Sequence, residues 1–131
     1  MKKHAVLWVD HSHAHLVTLH ADDDMHDARE IAGPKHQEGH EKRQHDGHRH
    51  TLDHGFAETL GKTIADIEEV LLVGPGSAKD ELVTYLNAKH PPLVKHIVAV
   101  EPSDHPTAGQ LKEHGRRFFK HADRMLGKHV N

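Results

Sequence analysis

Glu69-Val70-Leu71-Leu72-Val73-Gly74-Pro75-Gly76-Ser77-Ala78-Lys79-Asp80 is the stretch on which the fold turns. Four consecutive apolar residues between polar and turn-forming neighbours read as a strand buried on both faces. Pro75 and Gly76 end it. Ser77, with Asp80 three residues on, predicts a helix N-cap followed by an acidic first turn. That helix carries Leu82, Val83, Tyr85 and Leu86 and stops before Pro91-Pro92. A strand feeding directly into a helix is the first half of a β-α-β crossover, so a parallel partner strand is required.

Downstream, His96 to Val100 supplies that partner as another buried-type strand. Thr107 or its neighbours then open a long final helix with Leu111, Gly115, Phe118, Ala122 and Met125 on one side. Upstream, Leu52, Phe56, Leu60, Ile64 and Ile67 recur at intervals of three and four, which places one apolar stripe on a helix. At the amino end, Ala5-Val6-Leu7-Trp8-Val9 is followed by His13, His15, Val17 and Leu19 alternating with Ala14, Leu16, Thr18 and His20, which reads as a β-hairpin. Asp22-Asp23-Asp24 is a turn or loop, and Ala28 to Ala32 is a weaker third strand stopped by Gly33-Pro34. The order β-β-β-α-β-α-β-α predicts an α/β fold, a mixed sheet covered by helices in an RNase H-like layout.

At 131 residues and 14.7 kDa the chain is expected to form one domain over residues 1–131, burying roughly two-thirds of its unfolded surface. With 35% hydrophobic and 28% charged residues, the core must come from the few apolar segments named above. Lys35 to His50 holds no hydrophobic residue, so an exposed His-rich loop is expected at about 33–50. No apolar run approaches the ~20 residues of a membrane-spanning helix, and the start of the chain lacks a secretory pattern. The expectation is therefore a cytoplasmic protein without a membrane partner. Zero Cys excludes disulfides, thiolate metal sites and a cysteine nucleophile.

The 18 His outnumber the 17 Lys plus Arg. Formal charge is −3 with His neutral, and adding 18 imidazolium charges gives +15. At an ordinary imidazole pKa roughly a quarter are charged at pH 7, adding about +4. Affinity for a polyanion is thus expected to depend on pH as well as salt.

Five segments bear chemistry. Gly74, Gly76, Ser77 and Lys79 lie at a strand-to-helix junction where free N–H groups and the helix dipole can hold a phosphate; the spacing is not that of a Walker loop, and a tight turn explains the same residues. The last helix carries Lys112, Arg116, Lys120, Arg124 and Lys128 at intervals of four, with Arg117 beside them and only Glu113 and Asp123 diluting the charge. Such a surface is either a solvated face or an RNA phosphate contact. His36, His40, His45, His48, His50 and His54 fall within 19 residues, and His36, His40, His48, His50 and His54 are candidate ligands for Zn or Ni. The competing reading is a polar loop without fixed ligands. Asp10, at the end of the first strand, invites comparison with metal-dependent nucleases, but Gly74 stands where a second carboxylate would be needed, so a turn role is expected. Asp104-His105-Pro106-Thr107 reads as a turn and helix cap beside the glycine loop, at the sheet edge where ligands of open α/β sheets sit. No catalytic residue is assigned.

The segments AVLWVDH (5–11), VLLVGPGSAKDEL (70–82), DHPTAGQL (104–111) and RRFFKHADRM (116–125) together resemble small bacterial proteins related to the archaeo-eukaryotic peptide-chain release factor and Pelota. In particular they resemble the middle domain of those factors, with its RNase H-like, translational machinery component fold. The resemblance covers nearly the whole chain outside residues 21–50 and is most specific at the GPGSAK loop. Release factors carry a Gly-Gly-Gln motif in the loop before the first helix. The corresponding loop here, GPKHQEGHEKRQHDGHRH (33–50), has Gln37 and Gln44 without paired glycines. The resemblance thus implies a non-enzymatic role at the ribosome or on tRNA or rRNA, without peptidyl-tRNA hydrolysis and without a required cofactor. The other reading is a metal-binding protein acting through its His-rich loop. The sequence assigns no oligomeric state.

Overall fold

A computed structural model describes residues 3–20, 26–34 and 51–127. The strands are β1 (Lys3–Val9), β2 (His13–His20), β3 (His26–Ala32), β4 (Glu69–Gly74) and β5 (Ile97–Pro102). The helices are α1 (His54–Ile64), α2 (Ala78–Lys89), α3 (Pro91–Val94) and α4 (Ala108–Gly127). β1 lies at the centre of one sheet of order β3-β2-β1-β4-β5. It pairs antiparallel with β2, in register Leu7 with Leu16, and parallel with β4, in register Leu7 with Leu72. β3 extends the antiparallel side and β5 the parallel side. This is the mixed RNase H-like sheet expected from the element order.

The unbroken apolar character of β1 and β4 follows from their place, because both faces of the sheet are covered. On one face Ala5, Leu7, Val9, Leu16, Val70 and Leu72 pack against Phe56, Leu60 and Ile64 of α1 and Leu82 and Leu86 of α2. On the other, Val6, Trp8, Val17, Leu19, Leu71 and Val73 pack against Leu111 and Phe119 of α4. Asp53 caps α1 by accepting the Phe56 N–H at 2.9 Å. Thr107 and Gln110 cap α4 reciprocally: the Thr107 hydroxyl accepts the Gln110 N–H, and the Gln110 side chain accepts the Thr107 N–H.

Gly115 sets how closely α4 approaches the sheet. A Cβ there would lie 2.3 Å from Val6 Cγ2 and 3.0 Å from Leu19 Cδ1, so the helix rests on β1 and β2 at a distance only glycine permits. The buried stripe of α4 is Leu111, Gly115 and Phe119. Phe119, not Phe118, is the core aromatic, and its ring stacks on buried His4 with centroids 4.2 Å apart. Phe118 is half-buried one position round the helix.

Three further local expectations change. β5 is an edge strand rather than a fully buried one: Val98 and Val100 are 44% and 38% exposed, with little cover on that side among the described residues. Pro91 and Pro92 end α2 but open α3, proline being compatible with a first helical turn. Ser77 stands at the N-cap of α2 but accepts no helix N–H; its hydroxyl donates to Glu81 Oε2 at 2.8 Å instead. Among the described residues, no helix is long and apolar enough to cross a membrane.

Candidate functional site at the carboxyl edge of the sheet

β1, β4 and β5 are parallel and end together at Val9, Gly74 and Pro102. The segments that follow them converge at the edge where open α/β sheets hold ligands. Gly74 is demanded by this crowding, because a Cβ would lie 2.2 Å from the Val9 carbonyl oxygen. Gly76, with φ 61°, turns the chain into α2.

The candidate phosphate ligands of this loop are engaged within the protein. Lys79 is 8% exposed, and its ammonium donates to the Gly76 carbonyl at 2.6 Å. The Glu81 carboxylate occupies the space beside the start of α2. Its Oε2 accepts from Ser77, while Oε1 accepts the Leu52 N–H at 2.7 Å and lies 3.2 Å from His11 Nε2. Burial raises the Glu81 pKa, but the hydrogen bonds from Ser77, Leu52 and His11 together overcome it, and the carboxyl is held below its ordinary range. One side chain thus ties the hairpin turn, the start of α1 and the glycine loop together.

Asp10 builds the hairpin turn. Its Oδ1 accepts the N–H groups of Ser12 at 2.8 Å and His13 at 2.9 Å, an Asx-type arrangement. The other groups around its carboxylate are imidazoles: His13 Nδ1 is 3.4 Å from Oδ1 and His105 Nε2 3.9 Å from Oδ2. Trp8 lies beneath them. Its indole donates to the Asp104 carbonyl at 2.6 Å, and the rings of His13, His15 and His105 pack around it with centroids 5.2, 5.4 and 5.1 Å away. Three imidazoles from two segments 90 residues apart therefore share one aromatic platform. Alternation along the sequence puts His13 and His15 on one side of a strand, and turn residues surround His105; what joins them is the packing on Trp8, which no local pattern records.

The cationic series on α4 occupies a flank rather than the crest. Each residue advances 100° round a helix, so Lys112, Arg116 and Lys120 follow the buried Leu111, Gly115 and Phe119 by 100°. On the opposite flank His114 contacts Glu101 of β5 at 2.8 Å, which leaves the cationic flank on the β2–β3 side. Arg117 and His121 lie on the exposed outer crest, where Arg117 is 3.3 Å from Glu113. The side chain of Arg124 lies outside the described residues, as do His36, His40, His48 and His50. His54 begins α1, exposed, with its ring 5.1 Å from Tyr85.

No protein-family model matches the sequence, and no characterised protein matches it by sequence. Solved structures do match in fold. Pelota from Archaeoglobus fulgidus superimposes with TM-score 0.59 and 14% identity over 88% of this chain and 31% of that one. Pelota from Thermoplasma acidophilum gives 0.55 and 11% over 82% of this chain and 30% of that one. The archaeal translation termination factor aRF1 gives 0.52 and 16% over 98% of this chain and 42% of that one. The chain thus spans 30–42% of the length of these proteins, in agreement with the resemblance to a Pelota and release-factor middle domain and its RNase H-like fold.

Proposed function

We propose that this protein is a non-enzymatic, cytoplasmic, translation-associated factor that binds ribosomal RNA or tRNA through the cationic flank of α4. The observation that carries the reading is Lys112, Arg116 and Lys120 aligned on one flank, on a fold shared with a translation termination factor. Phosphate contacts by such a row supply affinity without reading sequence. Ser77 and Lys79, bonded internally, leave the glycine loop as a support for the site rather than its contact surface. The loop at 33–50 holds no Gly-Gly-Gln, so docking or occlusion rather than hydrolysis is the mechanism this reading assigns.

The test is sedimentation through sucrose gradients at low salt, with RNase treatment as control. The protein is expected with ribosomal particles or in an RNase-sensitive complex, and Lys112→Glu with Lys120→Glu is expected to release it. Binding that rests on three phosphate contacts falls with salt at a log–log slope of about −2 to −3. Protein that stays at the top of the gradient under every growth condition, or that sediments equally well with both charges reversed, would sink the proposal.

A further inference from the structure

Among the described residues one group has the composition and spacing of a metal site: His13, His15 and Glu30, whose ligand atoms all lie within 4.8 Å of one another. We propose that the β2–β3 ladder holds one late first-row divalent cation, Zn2+ by its ligand chemistry, on His13, His15 and Glu30. None of these three residues belongs to the His-rich segment 36–54, and the proposal does not depend on the RNA-binding reading.

The placement is set by backbone geometry. His13 and His15 are two residues apart on β2 and so share one face of the sheet. Glu30 on β3 is the registered cross-strand partner of His15, and directly opposed residues bring their side chains together. The rings of His13 and His15 meet edge to face with centroids 4.9 Å apart. Ligands fixed by a hydrogen-bonded ladder are preorganised in a way that ligands on a loop are not. Two imidazoles and a carboxylate are also the donor set that suits Zn2+ with a fourth position left open. A tetrahedron with ~2.0–2.1 Å bonds has an edge of ~3.3 Å, so the ligand atoms need only draw in from within 4.8 Å of one another.

The surroundings fit as well. Asp10, fixed by two backbone N–H groups, lies 3.4 Å from His13 Nδ1, the carboxylate–histidine arrangement that orients a metal-binding imidazole by its second nitrogen. Trp8 forms an apolar floor under both rings. Beside them, His15, Val17, Ala28, Glu30 and the first residue of α4, Ala108, line a shallow pocket of about 210 Å³, which gives water or a small ligand access to the open position.

The chain has a single tryptophan, and it touches this site, so its fluorescence reports occupancy there. Full-length protein is titrated with Ni2+, an open-shell quencher, and then with competing Zn2+. The expected result is saturable 1:1 quenching reversed by Zn2+. Glu30→Gln changes an exposed side chain and leaves the fold intact; it is expected to weaken Ni2+ at least about tenfold, as is His15→Asn, since even outer partners of a metal are worth about 10- to 100-fold. A variant with His36, His40, His45, His48 and His50 all changed to Gln is expected to quench as the parent does. Absence of quenching, an unchanged affinity in Glu30→Gln, or quenching lost in the loop variant each overturns the assignment.

Discussion

Gly115→Ala should destabilise this protein even though alanine is the better helix former. In an exposed helix interior the change would gain about 1 kcal/mol. Here the new methyl falls 2.3 Å from Val6 Cγ2 and 3.0 Å from Leu19 Cδ1. Val6 is wholly buried at the centre of the sheet, and its β-branched side chain has little rotameric freedom with which to yield. Either α4 lifts from the sheet or the core reorganises, and overpacking of this kind costs about 1–3 kcal/mol. With a contact this close the upper part of that range applies, leaving a net loss of about 1–2 kcal/mol and a Tm lower by about 3–8 °C. Gly109→Ala on the same helix is the control. A Cβ there meets nothing closer than Thr107 Oγ1 at 3.9 Å, so about 0.5–1 kcal/mol should be gained. Urea unfolding followed through Trp8, with m held constant between variants, reads both. The reasoning is refuted if Gly115→Ala matches or exceeds the parent, or if both variants move the same way.

Asp53→Ala removes the acceptor of the Phe56 N–H and is expected to cost about 1 kcal/mol, seen as a lower urea midpoint. Acid should act through Glu81: its carboxyl is held below the ordinary value of 4.5, so its stabilising contribution is present above about pH 4.5 and is lost as pH falls through the folded pKa. Urea midpoints measured from pH 6 down to 3 should therefore decline less steeply in Glu81→Gln than in the parent, and parallel curves would contradict this.

Much of the fold was legible because secondary structure answers to local pattern. Val70 to Val73, bounded by turn residues, had to be a doubly covered strand, and the hairpin alternation at 13–20 gave its own face assignment. The intervals of four on the last helix predict a basic surface, and the helix geometry narrows that surface to one flank. Capping and edge exposure were less legible. Ser77 had an ordinary cap signature, yet Glu81 took its hydroxyl, a competition that depends on Leu52 and His11 arriving from elsewhere in the chain. Val98 and Val100 looked like core because a strand's apolarity does not tell whether it ends up at the centre of a sheet or at its edge.

The sequence by itself determined the element order, the absence of thiol chemistry, the cationic row and the lack of a Gly-Gly-Gln motif, all of which are properties of neighbouring residues. Only the tertiary structure decided which histidines meet. Density in sequence pointed to residues 36–54, whereas the cluster on the described fold is His13, His15 and Glu30, with Asp10 and His105 around Trp8. The physical reason is register: whether Glu30 stands opposite His15 or slips past it is fixed by the pairing of two strands, and His105 reaches Trp8 only because β5 pairs with β4, which lies beside β1, and ends at the same edge of the sheet. Local propensity makes strands and helices, but the distances that chemistry requires are set when those elements are packed.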